Sequence, residues 1–300
     1  MPFRLVSFKA PNRNVGDDFS EWLFSRALGD RLQHDGNILL FGVGSILSQD
    51  IFSQVHDASI TGCAVFGSGA RRPYSLPNMN SSEWKVYCVR GHLTAYAAGL
   101  ATDAAVADPA ILAPRLHPAT AIQSDPVGIV PYFTASEAAW QKVANKLGWR
   151  VISPKLPVER FIAELTLCSR VWCESMHGAI FADAYGIPWR PISATSLSNE
   201  GRTHAFKWTD FCSALGVSFD PWKGLPLPDQ VQGTKGRFKE RVKIEIVAHL
   251  ISKADQDDRH TLSDRRVLLQ RQEELLARLD KMCLELTGKP SELALSGNTP

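Results

Sequence analysis

The sequence predicts an α/β protein built on parallel β-sheets. Three observations carry that expectation. Short apolar runs alternate with segments whose apolar residues recur at helical spacing, several runs end in glycine-rich turns, and the same plan appears in both halves of the chain. Parallel sheets with helices on their faces collect ligands at the carboxyl ends of the strands, so these turns are where chemistry is expected.

Arg4 to Phe8 reads as a strand, followed by a polar turn from Pro11 to Asp18. Phe19, Trp22, Leu23, Ala27 and Leu28 then recur at helical spacing, and Ile38 to Phe41 gives a second strand closed by Gly42-Val43-Gly44-Ser45. Cys63 to Phe66 ends in Gly67-Ser68-Gly69-Ala70-Arg71. Lys85 to Val89 ends in Arg90-Gly91-His92-Leu93-Thr94, with Thr94 placed to cap a small-residue helix. Together they suggest a doubly wound parallel sheet over residues 1–115, and the proline-bearing stretch Ala113 to Asp125 reads as an interdomain linker.

A second series occupies residues 122–230. Val127 to Val130 is a strand, Ser136 caps a helix running to about Leu147, and Trp149 to Ile152 is the next strand. Val158 to Leu167 is an amphipathic helix, Arg170 to Cys173 a strand, and Met176 to Tyr185 a helix stopped by Gly186; Ile187 to Ile192 follows as a strand. Ser193 to Thr203 reads as a flexible polar loop, Phe206 to Leu215 as a helix, and Pro221 to Pro228 as a loop. Residues 235–288 hold two further helices. Lys235 to Leu250 is expected to cross back towards the first domain. Between Asp264 and Leu286, residues Leu268, Leu275, Leu279, Met282 and Leu286 fall near a seven-residue spacing that Gln272 interrupts, which suits either a homodimer seam or a helix lying on its own domain. Residues 289–300 read as a flexible tail.

Length and composition narrow the function. A chain of 300 residues exceeds what one core usually serves, since cores stop growing near roughly 250–300 residues. With 44% apolar and 21% charged residues the chain reads as globular, and a net charge of +2 gives no basic face for a nucleic-acid backbone. The cysteines at 63, 88, 168, 173, 212 and 283 form no CxxC pairs and read as reduced, buried thiols of a cytosolic protein. No signal-peptide core and no long uncharged apolar run is present, so membrane spanning is not expected, while a peripheral membrane contact stays open.

The candidate chemistry lies in the turns. Asn14-Val15-Gly16-Asp17, Gly42-Val43-Gly44-Ser45 and Gly67-Ser68-Gly69 let backbone N–H groups approach a phosphate or sugar, yet fit neither GxGxxG nor GxxxxGK[ST]. His177 sits where a strand turns into a helix opening and can either hold an anion and exchange a proton, or serve as a cap or core residue. Glu174, one helical turn earlier, could orient it or form an acid–base pair. Arg90 either grips a phosphate or carboxylate or ties down its loop; Arg71 and Arg72 are similar but read as more exposed. Tyr132, His204 and Lys207 lie on segments expected to face the cleft. No GxSxG elbow or HExxH motif accompanies them, which argues against nucleophilic hydrolysis and zinc chemistry.

As a set, these motifs resemble the polysaccharide pyruvyl transferase family. Asn14 to Asp17 resembles its N-x-G-D motif, Gly42 to Leu47 its second glycine turn, Arg90 to Thr94 its R-G-x-L-[ST] motif and Asp108-Pro109 its D-P pair. Ser175 to Ile180 with Ala182 to Trp189 is similar to its R-L-H-G block, and Phe206-Lys207-Trp208-x-Asp210 to its downstream segment. The likeness runs from Asn14 to Leu215. It departs at Ser175, where the family commonly has arginine, and at Met176, where it has leucine.

The resemblance implies two Rossmann-like domains facing a central cleft, a GT-B type fold, with C-terminal helices. It implies phosphoenolpyruvate as donor, no cofactor or metal, and a saccharide acceptor, lipid-linked or free, at the inner membrane face, giving a pyruvate ketal and phosphate. His177 would then be the acid that protonates the enolpyruvyl methylene, or the base for the attacking hydroxyl, with Glu174 beside it. Arg90, Gly91, Ser175, Gly178 and Lys207 would bind the donor. Asn14, Gly16, Asp17, Gly44, Ser45, Gly69, Tyr132 and His204 would face the substrates. In place of the missing arginine, either Arg90 would act with Lys207 or an arginine of the Arg71–Arg72 pair, or the donor would be bound differently. A nucleotide-sugar glycosyltransferase and a non-catalytic scaffold are the rival readings.

Overall fold

The computed structural model describes residues 2–7, 13–79, 81–119, 126–228, 232–257 and 259–293. The strand end at Phe8, the Pro11–Asn12 turn, the linker at 120–125 and the tail at 294–300 lie outside the described residues. Strand β1 (Phe3–Val6) leads through helix α1 (Val15–Leu28) to β2 (Ile38–Phe41), then through α2 (Gln49–Val55) to β3 (Gly62–Ser68) and β4 (Trp84–Val89). All four strands are parallel.

Every residue of β2 is buried, as expected of a strand covered on both faces. Ile38 and Leu40 pack with Phe19, Leu23 and Phe24 of α1. Leu39 and Phe41 point the other way, and Ile51, Phe52 and Val55 of α2 pack against their cluster. The strand order is β1-β2-β3-β4, in chain order without reversal. This corrects the doubly wound arrangement expected here: the first sheet has no point where consecutive connections diverge. Among the described residues between β3 and β4 the chain makes turns and no helix.

Helix α3 (His92–Ala97) follows β4, and its N-cap is Gly91. Thr94 therefore lies inside the helix and does not cap it. Two 3₁₀ turns, Thr102–Ala104 and Pro109–Leu112, lead into α4 (Ala113–Leu116), so the expected linker begins as a helical turn whose first residue is buried. Next come β5 (Gly128–Val130), α5 (Glu137–Leu147), β6 (Arg150–Val151), α6 (Val158–Leu165), β7 (Val171–Cys173), α7 (Met176–Ala184) and β8 (Trp189–Ser193). The polar stretch expected to be a loop contains α8 (Thr195–Glu200) and the start of α9 (Arg202–Leu215), and the proline-rich loop after it contains β9 (Trp222–Lys223).

The second sheet is parallel with order β6-β5-β7-β8-β9. From β5 the chain goes outward to β6, returns past β5 to β7, and continues the other way. Loops leaving β5 and β7 thus diverge and open a crevice at their carboxyl ends. Local signals set α5 well: Ser136 Oγ accepts from Ala139 N at 3.3 Å, and Gly148 closes the helix at φ +68°.

One apolar cluster runs through both halves, joining Phe19 and Phe24 of α1 to Phe161 of α6 and Phe181 of α7. Phe19 and Phe181 meet edge to face at 5.1 Å, and Val15 N donates to Pro154 O at 2.7 Å. The C-terminal helices exchange their expected roles. Helix α10 (Gly233–Asp255) stays on the second sheet, burying Ile244, Val247, Ala248 and Ile251 beside Trp140 and Val143 of α5. Helix α11 (Arg265–Thr287) is the one that reaches the first sheet, where Arg278 donates to Tyr87 O at 2.6 Å.

Leu268, Leu275, Leu279 and Met282 of α11 are buried in the chain's own core, which excludes them as a dimer seam. The polar break has a partner, since Gln272 Nε2 donates to Ile111 O at 2.7 Å. Leu279→Ala is expected to lower the unfolding free energy by about 2–5 kcal/mol, measured by urea denaturation, and by the same amount at every protein concentration. A loss that depended on dilution would make α11 an intersubunit helix.

Candidate active site

Loops from both sheets enclose a cavity of about 260 Å³. The first half supplies Asn14 and Asp17 from the opening of α1, Gly44, Ser45 and Ile46 after β2, and Arg71 and Arg72 after β3. The second supplies Tyr132 and Phe133 after β5, Ser175, Met176 and His177 after β7, and Asn199, Glu200, Thr203 and Lys207 from α8 and α9. The crevice at the β5/β7 divergence therefore forms one wall.

Helix α7 presents its amino end to this space. Ser175 is the N-cap in extended geometry, but its side chain makes no capping hydrogen bond. First-turn N–H groups have no partner within a helix, and the helix dipole makes this end positive. Gly178 lets α7 lie close to β5, because a β-carbon there would come within 2.8 Å of Val130 Cγ1. It is a packing residue and does not line the cavity, contrary to its expected donor-binding role.

His177 is buried at the cavity wall. Its Nε2 lies 3.8 Å from Asp108 Oδ2, beyond hydrogen-bond length, and neither atom has another partner. Its Nδ1 lies over Gly16: a β-carbon on Gly16 would sit 1.9 Å from it. Gly16 thus makes room for the imidazole and does not itself line the cavity. Burial, then the charges of Arg90 and Lys207, pushes the His177 pKa down to about 3. The ring is therefore neutral near pH 7 and forms no ion pair with Asp108. Burial raises Asp108 to about 6 against the opposing pull of Arg90. Asp17, which accepts from Asn14 Nδ2 at 3.0 Å, is likewise raised to about 6, chiefly by burial.

A second polar cluster positions the cation. Lys207 Nζ contacts Glu200 Oε1, which also accepts from Tyr132 OH at 2.9 Å, and Lys207 lies 5.7 Å from the Tyr132 ring centroid. Burial alone would raise Glu200, but the groups around it, His204, Lys207 and Tyr132, hold it down at about 2. Lys207 is lowered by burial despite this carboxylate. His204 stands behind the wall, paired through Nε2 with Ser193 Oγ at 2.8 Å, so it supports Glu200 and does not face the cavity as expected.

Several expected contacts are corrected. Arg90 is fully buried: Nε donates to Asp210 Oδ2 at 2.9 Å and Nη1 to Ser45 Oγ at 2.7 Å. It touches the cavity only through Ser45. Gly69 leaves space for that guanidinium, since a β-carbon there would be 2.1 Å from Arg90 Cζ, and Gly91 packs on the Asp210 carbonyl, 1.9 Å from where its β-carbon would be. Neither glycine reaches the cavity. Glu174 is not paired with His177. It accepts from Tyr132 N at 3.3 Å and Ser196 N at 3.0 Å, tying two wall segments together, and burial raises its pKa.

Asn14, Asp17, Gly44, Ser45, Tyr132, Ser175, His177 and Lys207 are thus brought together. Arg71 and Arg72, ranked below Arg90 on sequence, are the arginines that line the space. Phe133, Asn199, Glu200 and Thr203 escaped sequence reasoning. Glu200 and Lys207 are seven apart, a helical spacing that Gly201 interrupts between α8 and α9.

No protein-family model matches the chain. The succinoglycan biosynthesis protein ExoV of Rhizobium meliloti (strain 1021) is 30% identical over 217 residues, covering 71% of this chain and 65% of the relative. The match therefore spans slightly less than two thirds of that protein. Among solved structures, the dodecameric iron-containing heptosyltransferase TibC in complex with ADP-D-beta-D-heptose aligns over 84% of this chain and 76% of its own, at 16% identity and a TM-score of 0.30.

Proposed function

We propose that the chain is a polysaccharide-modifying transferase that moves pyruvate from phosphoenolpyruvate to a saccharide of an exported polysaccharide or its lipid-linked precursor. The similarity to ExoV supports the polysaccharide assignment. The donor assignment rests on one observation above the others: the uncapped amino end of α7, Arg71, Arg72 and Lys207 surround a small cavity that has a neutral imidazole in its wall. A compact donor with a phosphate and a carboxylate matches that set. Such a donor belongs to the cytosol, so the reaction is placed there, at the inner membrane face when the acceptor is lipid-linked.

In this reaction the enolpyruvyl methylene C3 gains a proton, C2 becomes oxocarbenium-like, and one sugar hydroxyl attacks C2 as it gives up its proton. The second hydroxyl then attacks C2 while the bond to phosphate oxygen breaks and its proton passes to the departing phosphate, which yields the cyclic ketal and inorganic phosphate. His177 is in the neutral form a base requires, and an anionic donor in the cavity would raise its basicity for taking the hydroxyl proton. Asp17 suits the acid, because its raised carboxyl lines the cavity and an anionic donor raises it further. The arginines, Lys207 and the α7 amino end hold the leaving phosphate as its charge grows.

Incubation with phosphoenolpyruvate and candidate glycosides is expected to release phosphate and add a pyruvate ketal to the acceptor by mass. His177→Ala should slow this by about 10²- to 10⁴-fold; unchanged turnover would remove His177 from the reaction. Stabilisation by a nucleoside diphosphate and not by phosphoenolpyruvate in thermal melts would favour a glycosyltransferase instead.

Gly16→Ala is expected to reproduce the His177→Ala defect in kcat with the fold retained, as judged by circular dichroism, because the added methyl displaces the ring. Activity like that of the unaltered protein would refute the assigned ring position.

The imidazole titration gives a third check. With the folded pKa depressed from 6.5 to about 3, the stabilisation linked to His177 is complete above pH 6.5 and disappears as pH falls towards 3. The Cε1 proton resonance in NMR should therefore not titrate between pH 8 and about 5, and in urea melts His177→Gln should gain stability relative to the unaltered protein as pH falls below 6.5. A transition near 6.5 would contradict a buried neutral ring.

A further inference from the structure

The outward face of α10 has a composition that its packing does not require. The inner face is satisfied by α5. On the other side Phe238, Val242, Ile246 and Leu250 follow one another at four-residue intervals and are 69%, 41%, 41% and 43% exposed. Lys235, Arg237, Lys239, Arg241 and Lys243 flank the first half of this ridge, all exposed. The carboxylates of the helix are already engaged: Glu240 pairs with Lys142 at 2.7 Å, Glu245 with Lys146 at 2.6 Å, and Asp255 with Arg170.

An apolar ridge flanked by lysine and arginine combines the two attractions that hold a helix on an anionic bilayer, apolar burial and Coulomb attraction to the headgroups. A second copy of the chain would set one net positive face against another. No helix among the described residues is long and apolar enough to cross a membrane, so the contact is with the surface.

The direction of α10 adds a consequence. Its pairing with α5, Lys142 to Glu240 and Lys146 to Glu245, shows that the two helices run the same way. Helix α5 starts directly after the cavity-lining Tyr132 and Phe133. The basic half of α10 therefore lies at the end of the second sheet where the cavity opens.

We propose that the outer face of α10 docks this protein on an anionic lipid bilayer, with the cavity-bearing end of the second sheet beside the most basic part of the contact. The docking is independent of which donor the cavity binds.

Co-sedimentation with vesicles of phosphatidylcholine, alone or mixed in equal parts with phosphatidylglycerol, tests it. Binding is expected only with phosphatidylglycerol and should weaken as salt rises. Lys239→Gln with Arg241→Gln should lower the partition coefficient about 30-fold, at ~1 kcal/mol for each basic residue. Phe238→Ser with Ile246→Ser should remove the binding that persists at high salt, with melting unchanged because both side chains are exposed. Equal binding to the two vesicle types, binding to neither, or a concentration-dependent dimer lost in these variants without vesicle binding would each overturn the proposal.

Discussion

The buried pair of Arg90 and Asp210 is the contact on which the rest of the site depends. Both side chains are shielded from solvent, and removing one partner of such a pair typically costs about 3–5 kcal/mol because the other charge is left stranded. The carboxylate is fully used: Oδ1 accepts from Thr94 N at 2.8 Å, and Oδ2 accepts from Arg90 and from Thr94 Oγ1 at 2.7 Å. Arg90 closes the last strand of the first sheet, whereas Asp210 belongs to α9, which joins β8 to β9 of the second. One turn earlier on that helix is Lys207. The clamp thus fixes the depth at which a cation contributed by one half meets loops contributed by the other.

Charge in the cavity follows from this placement. Lys207 is held at the wall by its pair with Glu200, and burial raises Asp17 and Asp108 to about 6. Arg71, Arg72 and the α7 amino end line the same cavity and bring further positive charge to its wall. Burial first, and then the charges of Arg90 and Lys207, keeps His177 uncharged. Attraction for an anion and a neutral proton acceptor therefore coexist because they are assigned to different depths.

Elements with strong local signals were legible in the sequence. The β2 run Ile38 to Phe41 coincides with the strand observed, and Ser136 and Gly148 bound α5 as their chemistry requires. Strand order in the first sheet was not legible, since glycine turns mark where strands end and not which strand lies beside which. Helix α8 was hidden because Thr195 to Glu200 has no apolar period; Glu174 contributes to its start by accepting from Ser196 N, a contact between residues far apart in sequence. The near-heptad pattern of α11 was real, yet an apolar stripe does not say whether its own chain or another covers it. For Arg90 the two sequence readings differed only in what it grips, and a carboxylate on α9 decided for the loop-tying one. His177 was found from its place at a helix opening, but its neutrality depends on side chains supplied by distant segments.

The His177 ring has one further consequence. Its backbone belongs to the second half, while Gly16 and Asp108, which bracket the ring, belong to the first. Any separation of the halves would let water reach the imidazole and restore its ordinary basicity. Below pH 6.5 any opening would therefore be linked to proton uptake, since the ring is held neutral there only while both halves enclose it.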